Sequence, residues 1–124
     1  MQRKFRLTRY EDFKRVRRDG KSYAHPLMVL VVQANDDSGN KSERSAKLRV
    51  GVAAGRTVGI AVKRNRAKRL LRAAVQTILP ELASGWDIIL IARPALASSN
   101  LNETRRVLVS LLRRSKLISP TDAT

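Results

Sequence analysis

The sequence predicts an α+β fold, an α/β sandwich in which helices pack on one β-sheet. Two observations carry the prediction. Helical patterns occur near the start, middle and end of the chain, and β-type apolar runs lie between them. The length of 124 residues suits one domain with one modest core. A single domain spanning residues 1–124 is therefore expected.

The first helix is predicted to begin near Arg9. Thr8 and Glu11 have the spacing of a capping box, and Gly20 is expected to end the helix. Its apolar side would consist of three residues: Tyr10, Phe13 and Val16.

Two strand-like segments follow the first helix. A strand is predicted at Leu27–Val32. Pro26, just before it, is expected at an edge, a bulge or a break, because proline has no N–H to donate to a neighbouring strand. At residues 47–52, apolar side chains alternate with two basic residues and a glycine, as in a strand with one buried face. Residues at about 34–46 carry turn chemistry and are predicted to form a mobile loop between two antiparallel strands.

The second half of the chain predicts a long helix, an inner strand and a closing helix. Asp87–Ala92 is almost wholly apolar, which is typical of a strand covered on both faces. Asn100 or Asn102 would cap the last helix, and a flexible tail is expected at about 118–124. The inward residues of that helix would be Val107, Leu108, Leu111 and Leu112, and the outward ones Arg105, Arg106, Arg113 and Arg114.

The chain is strongly basic, with a formal net charge of +16 and a sequence pI of about 11.6. The region between Glu43 and Glu81 contains ten Lys or Arg residues and no acid. Such a charge excess indicates a nucleic acid or an anionic surface as the partner.

Residues 61–72 concentrate this charge on a predicted amphipathic helix. Six of the twelve residues are Lys or Arg and none is acidic. Solvated helix faces usually mix the two signs so that neighbouring charges attract, so a polyanion-binding face is favoured here. The apolar stripe of this helix would be Ala67, Leu70, Leu71, Ala74 and Ile78.

The pattern of polar residues argues against chemistry by the chain itself. There is no cysteine, the acids are scattered, and the one histidine, His25, is predicted to be structural or incidental. Gly51, Gly55 and Gly59 do not fit a phosphate-binding fingerprint, so turn and packing roles are expected. No apolar run is long enough to span a bilayer, and no signal peptide is visible.

The ordered motifs of the chain resemble those of the bacterial ribonuclease P protein-subunit family. The strongest match is Ala61-Val62 followed by Arg64-Asn65-Arg66 and Lys68-Arg69, after a glycine turn and on a helix. The resemblance covers roughly Phe5 to Ile118. Its other parts are Arg6-Leu7, Glu11-Asp12-Phe13, Arg49-Val50-Gly51, Asp87–Arg93 with Pro94, and Leu111-Leu112-Arg113.

The resemblance implies a fold and a function. The fold would be a four-stranded mixed sheet with three helices and a left-handed βαβ crossover, similar to a ribosomal-protein domain and an elongation-factor domain. The catalyst would be an RNA subunit that uses Mg²⁺, held mainly by RNA, to remove the 5′ leader of precursor tRNA. The partners would be that RNA and precursor tRNA, with no membrane or small-molecule substrate, in the cytoplasm.

The resemblance also assigns roles to particular residues. Residues implied to bind the RNA subunit are Arg56, Lys63, Arg64, Asn65, Arg66, Lys68, Arg69 and Arg72. Residues implied to bind the leader, in a cleft between the first helix and the sheet, are Phe13, Arg9, Arg17 and Arg49.

Some positions depart from the family pattern. The asparagine that usually follows the turn glycine in the family is Ile60 here. The family commonly has Ser-Lys-Lys before this turn; the corresponding segment here is Gly55-Arg56-Thr57, in which only Arg56 is basic. Further aromatics of the leader cleft are replaced by Arg17, Val31 and Ile118. Three alternatives remain open: a ribosomal or other structural RNA-binding protein, a cationic membrane-surface protein, and a protein-only nuclease.

Overall fold

The computed structural model describes residues 6–7, 9–34, 48–82 and 85–117. They follow the predicted order of helix, strands, helix, strand and helix. The elements are α1 (Tyr10–Asp19), β1 (Lys21–Ala24), β2 (Met28–Ala34), β3 (Arg49–Ala54), α2 (Ala61–Ile78), β4 (Trp86–Ala92) and α3 (Leu101–Arg114). Short 3-10 turns lie at Arg56–Val58, Leu79–Glu81 and Pro94–Ser98.

The four strands form one mixed sheet in the order β1-β2-β4-β3. β2 pairs antiparallel with β1 and β4, whereas β3 pairs parallel with β4. The prediction that Asp87–Ala92 is an inner strand is confirmed. β2 and β3 run in opposite directions but are not neighbours, because β4 lies between them. Apart from Ala34, which ends β2, the predicted mobile loop at about 34–46 lies outside the described residues, as does the predicted tail at about 118–124.

The connection from β3 through α2 to β4 is a βαβ unit, since β3 and β4 are adjacent and parallel. The left-handed sense of this crossover stays a prediction.

Alternating strand residues build a core on each face of the sheet. The larger core lies under α2 and α3 and includes Leu30, Leu71, Leu90 and Leu108. The smaller core lies under α1 and consists of Leu7, Val16, Val31 and Ile89. Because β4 contributes Leu90 to one core and Ile89 to the other, both of its faces are covered.

The predicted apolar stripe of α2 and the inward face of α3 are confirmed. The α2 stripe is buried except for Leu70, which is partly exposed, and the four inward residues of α3 are buried. Asn100 caps α3 as predicted, because its Oδ1 accepts a hydrogen bond of 2.8 Å from the Glu103 amide.

Two expectations for α1 need correction. Tyr10, predicted on the apolar side, is 74% exposed. At 3.6 residues per turn it lies about 120° around the helix from Val16, beyond the narrow stripe that faces the sheet. The second expectation is the capping box. The helix begins at Tyr10, close to the predicted start, but its N-cap residue is Arg9, which makes no side-chain cap hydrogen bond. The proposed capping residue, Thr8, lies outside the described residues.

The predicted end of α1 at Gly20 is confirmed, and packing explains it. A Cβ at this position would lie 2.6 Å from the Val16 carbonyl oxygen and 2.7 Å from that of Val32. Only glycine fits where α1 passes directly into β1.

Candidate nucleic-acid interface

The cationic face of α2 is fully formed in the fold. Lys63, Asn65, Arg66 and Arg69 are exposed, while Arg64, Lys68 and Arg72 are half-buried. The half-buried residues are spaced four apart and therefore form one row along a flank of the helix. Among the described residues, no carboxylate forms an ion pair with any of these cations. Their charge is available to an external anion.

Arg66 differs from its neighbours because the protein already binds its guanidinium. Nε donates to the Ala97 carbonyl at 2.8 Å, and Nη2 donates to the Ser99 carbonyl at 3.1 Å. These bonds tie the start of α2 to the segment before α3. Arg66 therefore has a structural role in addition to its charge.

The turn before α2 is shaped by Gly59, whose φ of 135° lies where side chains are strained. Arg56 is exposed in the preceding 3-10 turn. Ile60 occupies the N-cap without a side-chain cap bond and is 69% exposed. Val62 is also exposed, so the cationic helix begins with two apolar side chains in solvent.

The α1 face of the sheet carries three parallel rows of residues across the strands. In the middle row, Val31, Ile89 and Gly51 lie under α1, because Val16 packs on the first two and the Phe13 ring approaches Gly51. A second row is Gln33, Asp87 and Arg49, and the third is Val29, Ile91 and Ala53.

The third row lies beside α1, where the floor of the expected cleft would be. Val29, Ile91 and Ala53 are half-buried. Asp12 and Arg15 point to the second row, so the opposite flank of the helix overlooks the third. Arg17 lies on that flank and is exposed. This is the place, between the first helix and the sheet, where the resemblance implies a cleft for the leader.

The four residues implied to bind the leader are not all brought together. Arg9 and Arg17 are exposed on α1, and Phe13 is partly buried against Gly51. Arg49 lies in the second row, on the other flank of α1, where carboxylates hold its guanidinium.

A buried ion network surrounds Asp87, which is fully buried. Arg49 donates to both of its oxygens, and Arg15 donates to Oδ2 at 2.7 Å. Asp12 accepts from both arginines, and Arg15 also bonds Gln33. Burial alone would lower the pKa of Arg15, but the hydrogen bonds and charges of Asp87 and Asp12 outweigh it and raise that pKa. The network joins α1 to β3 and β4.

Sequence reasoning missed Tyr10 as a surface residue of the cleft. Tyr10 lies on the same flank of α1 as Arg17, seven residues away, and the Lys14 ammonium lies 5.4 Å from its ring centroid. The spacing of Tyr10 and Arg17, two helical turns apart, was the available signal.

A pocket of about 210 Å³ lies between the cleft and α2. It is lined by Arg6, Leu7, Phe13, Val50, Gly51, Val52 and Arg72. Arg72 is the last cation of the row on α2. The pocket therefore lies between the two surfaces that the resemblance assigns to RNA.

The described residues contain no group of three or more His, Cys, Asp or Glu that could hold a metal ion. His25, predicted to be structural or incidental, makes a structural contact: its Nδ1 accepts a hydrogen bond of 3.0 Å from the Leu27 amide in the turn between β1 and β2. Within the same part of the chain, no helix is both long and apolar enough to cross a membrane.

Comparison with known proteins decides the family. A family model described as Ribonuclease P matches residues 1–116. The chain belongs to the ribonuclease P protein family. The ribonuclease P protein component of Chloroflexus aurantiacus is 36% identical over 126 residues, covering 100% of this chain and 87% of that protein. The component from Dehalococcoides mccartyi is 38% identical, covering 94% and 89%.

Solved structures agree with this membership and confirm the predicted α+β fold. The ribonuclease P protein of Thermotoga maritima has a TM-score of 0.72 at 26% identity, with 88% of this chain and 96% of that one covered. The Staphylococcus aureus protein has the same fold, with a TM-score of 0.77 at 24% identity and coverage of 93% and 98%. As a member of the ribonuclease P family, the chain is part of a hydrolase complex of tRNA processing and an RNA-binding protein.

Proposed function

We propose that this chain binds the catalytic RNA of ribonuclease P through α2 and the 5′ leader of precursor tRNA through the cleft beside α1. The observation that carries the proposal is the α2 surface, where six cations occupy the flanks and outer side of the helix without an ion-pair partner among the described residues. Arginine forks and lysine charges suit the phosphates of a folded RNA.

The chain would act by binding and charge neutralisation, and the RNA would carry out the cleavage. Two polyanions, the catalytic RNA and the substrate, must lie close together, and a cationic layer lowers their repulsion. Mg²⁺ would supply Lewis-acid chemistry and an activated water. The described acids offer no cluster for this ion, so we assign Mg²⁺ mainly to RNA phosphates and give the protein no step through it.

The cleft beside α1 suits a single strand better than a duplex. Its floor is apolar and half-buried, and Arg17 and Tyr10 stand along one wall. Bases stack on aromatic rings while cations follow the phosphates, and neither contact depends strongly on sequence. A leader whose sequence varies between precursors is therefore a suitable ligand. Precursor tRNA as substrate, and a chain without cysteine, support the cytoplasm as its location.

Charge and size alone would suit a ribosomal or other structural RNA-binding protein equally well. The family match over residues 1–116 favours ribonuclease P.

Cleavage of precursor tRNA by a bacterial ribonuclease P RNA at low Mg²⁺ tests the proposal. We expect the chain to restore cleavage that the RNA alone performs poorly under these conditions. Lys68→Ala combined with Arg69→Ala should weaken the rescue. Arg106→Ala combined with Arg113→Ala is the matched control, because it removes the same charge from exposed residues of α3.

Tight RNA binding without rescue would contradict the proposal and favour the structural alternative. Cleavage by the chain without any RNA subunit would instead identify a protein-only nuclease.

A further inference from the structure

Two large apolar side chains stand in solvent at the start of α2, and we call Ile60 and Val62 the apolar tip. Ile60 is 69% exposed and Val62 is 71% exposed. Among the described residues, the other exposed large hydrophobic side chains are Tyr10 on α1 and Leu101 at the start of α3. Apolar side chains scattered singly over a surface need no explanation, but these two lie only two positions apart.

Val62 lies on the outer side of α2, within its cationic surface. At about 100° per residue it is on the opposite side of the helix from Leu71, which is fully buried nine positions later. Arg69, seven positions after Val62, lies on nearly the same line, and Asn65 and Arg66 lie one turn away. An RNA that binds the exposed cations of α2 therefore covers Val62 as well.

The fold holds the apolar tip in a fixed position. Val58, in the turn before the tip, is buried in the larger core, and its amide donates to the Gly55 carbonyl at 3.1 Å. The Arg64 amide donates to the Ile60 carbonyl at 3.0 Å. Valine and isoleucine are β-branched and stiff at χ1. Because little freedom remains to be lost, a partner that buries the tip meets a low entropic cost.

The charges around the apolar tip indicate which partner it fits. Arg56 and Lys63 flank the tip in sequence, are exposed and form no ion pair with a described carboxylate. A folded RNA offers phosphates for these cations and the flat face of an unstacked base for an apolar side chain. An anionic membrane fits less well, because a helix that lies on lipid needs a whole apolar face, and that face of α2 is buried in the core.

We propose that the apolar tip binds the face of an unstacked nucleobase in the catalytic RNA, while the neighbouring cations bind the flanking phosphates. The inference rests on the proposed function, because it takes α2 as the surface that binds the RNA subunit. It adds to that surface a contact of a different kind, an apolar one that salt does not screen.

The test measures the affinity of the full chain for a bacterial ribonuclease P RNA, without precursor tRNA, over a range of salt concentrations. Ile60→Ala and Val62→Ala remove the tip, singly and together. Val62→Thr keeps the shape of valine but replaces one methyl group with a hydroxyl. Tyr10→Ala is the control, because Tyr10 is similarly exposed but lies on α1, on the other face of the sheet. Urea unfolding without RNA checks that each variant is folded.

The double alanine variant should bind the RNA about tenfold more weakly at every salt concentration, and each single alanine variant about threefold. Its slope of log affinity against log salt should equal that of wild type, because no phosphate contact is lost. Val62→Thr should bind as weakly as Val62→Ala, since its hydroxyl must lose water on contact with the base. Tyr10→Ala should change neither the affinity nor the slope.

A photocrosslink tests the contact directly. The photoreactive residue p-benzoylphenylalanine, placed at position 60, should crosslink to an unpaired nucleotide of the RNA subunit, which primer extension identifies. Crosslinks confined to base-paired nucleotides would overturn the inference.

Wild-type affinity of the double alanine variant, a changed salt slope, or an equal loss for Tyr10→Ala would also overturn it. Flotation of the chain with anionic phospholipid vesicles that the double variant abolishes would assign the tip to a membrane instead. These results would leave the proposed function intact. Failure of the wild-type chain to bind the RNA subunit would overturn the proposed function itself.

Discussion

Arg49 donates two parallel hydrogen bonds to Asp87 on the adjacent strand, from Nε to Oδ1 at 2.9 Å and from Nη2 to Oδ2 at 2.8 Å. The two residues are register partners on β3 and β4. Such bidentate pairs are the strong form of a charge-assisted hydrogen bond. The family resemblance implies a leader contact for Arg49, but its fork is already held inside the protein. Its position supports α1, the wall of the cleft.

Replacing Asp87 with Asn should destabilise the fold. The substitution removes the carboxylate that holds Arg15 and Arg49 and leaves two cations close together. Because both arginines are partly exposed, we expect a loss of about 2 kcal/mol in the free energy of unfolding, below the value for a fully buried pair. Urea unfolding measures it. Glu81→Gln removes an exposed carboxylate and is the control; equal effects of the two variants would contradict a stabilising network.

Gly51 should not tolerate alanine. A Cβ there would lie 2.5 Å from Cζ of Phe13, so the ring or α1 would have to move. We expect a loss of about 2 kcal/mol in the free energy of unfolding. Gly55→Ala is the matched control because a Cβ at Gly55 meets nothing within 4 Å. Thermal melts of both variants compare them, and unchanged stability of Gly51→Ala would mean that Phe13 is not packed as described.

Alanine variants of Arg66 and Arg69 should separate effects on stability from effects on RNA binding. Arg66→Ala removes two hydrogen bonds to backbone carbonyls and should lower the free energy of unfolding by about 1 kcal/mol. Arg69→Ala removes an exposed charge and should leave stability within about 0.5 kcal/mol of wild type. Unfolding in urea without RNA decides the matter, and equal stability of the two variants would argue against the structural role of Arg66.

Ile60 offers a stabilising substitution. It occupies the N-cap of α2 in extended conformation without a side-chain cap. Ile60→Asn would supply an oxygen for the free amides of the first turn and should raise the free energy of unfolding by about 1 kcal/mol. Ile60→Ala removes the same exposed side chain without adding a cap and should have little effect. The melting temperatures of the two variants test this, and no difference between them would exclude capping.

The sequence predicts much of this fold because its local patterns agree with the packing. The inner strand follows from the unbroken apolar run at 87–92, and the stripe of α2 follows from helical periodicity. The side chain of Asn100 caps α3 as its position suggested. In each case the structure depends on residues that are close together in the sequence.

The remaining features depend on contacts between distant residues. Asp87 and Arg49 are 38 positions apart, and nothing near either one indicates that they meet. The ring of Phe13 packs against Gly51 of β3. The hydrogen bonds of Arg66 to the Ala97 and Ser99 carbonyls join α2 to the segment before α3. Such pairings follow from the strand order, which residue patterns alone did not provide.

The affinity of the chain for a bacterial ribonuclease P RNA, measured over a range of salt concentrations, tests the central claim most directly. The comparison is between Lys68→Ala with Arg69→Ala on α2 and Arg106→Ala with Arg113→Ala on α3. We expect the α2 variant to bind more weakly and its slope of log affinity against log salt to fall by about two, one for each lost phosphate contact. The α3 variant should retain the wild-type slope. Equal slopes for the two variants would contradict α2 as the RNA-binding surface.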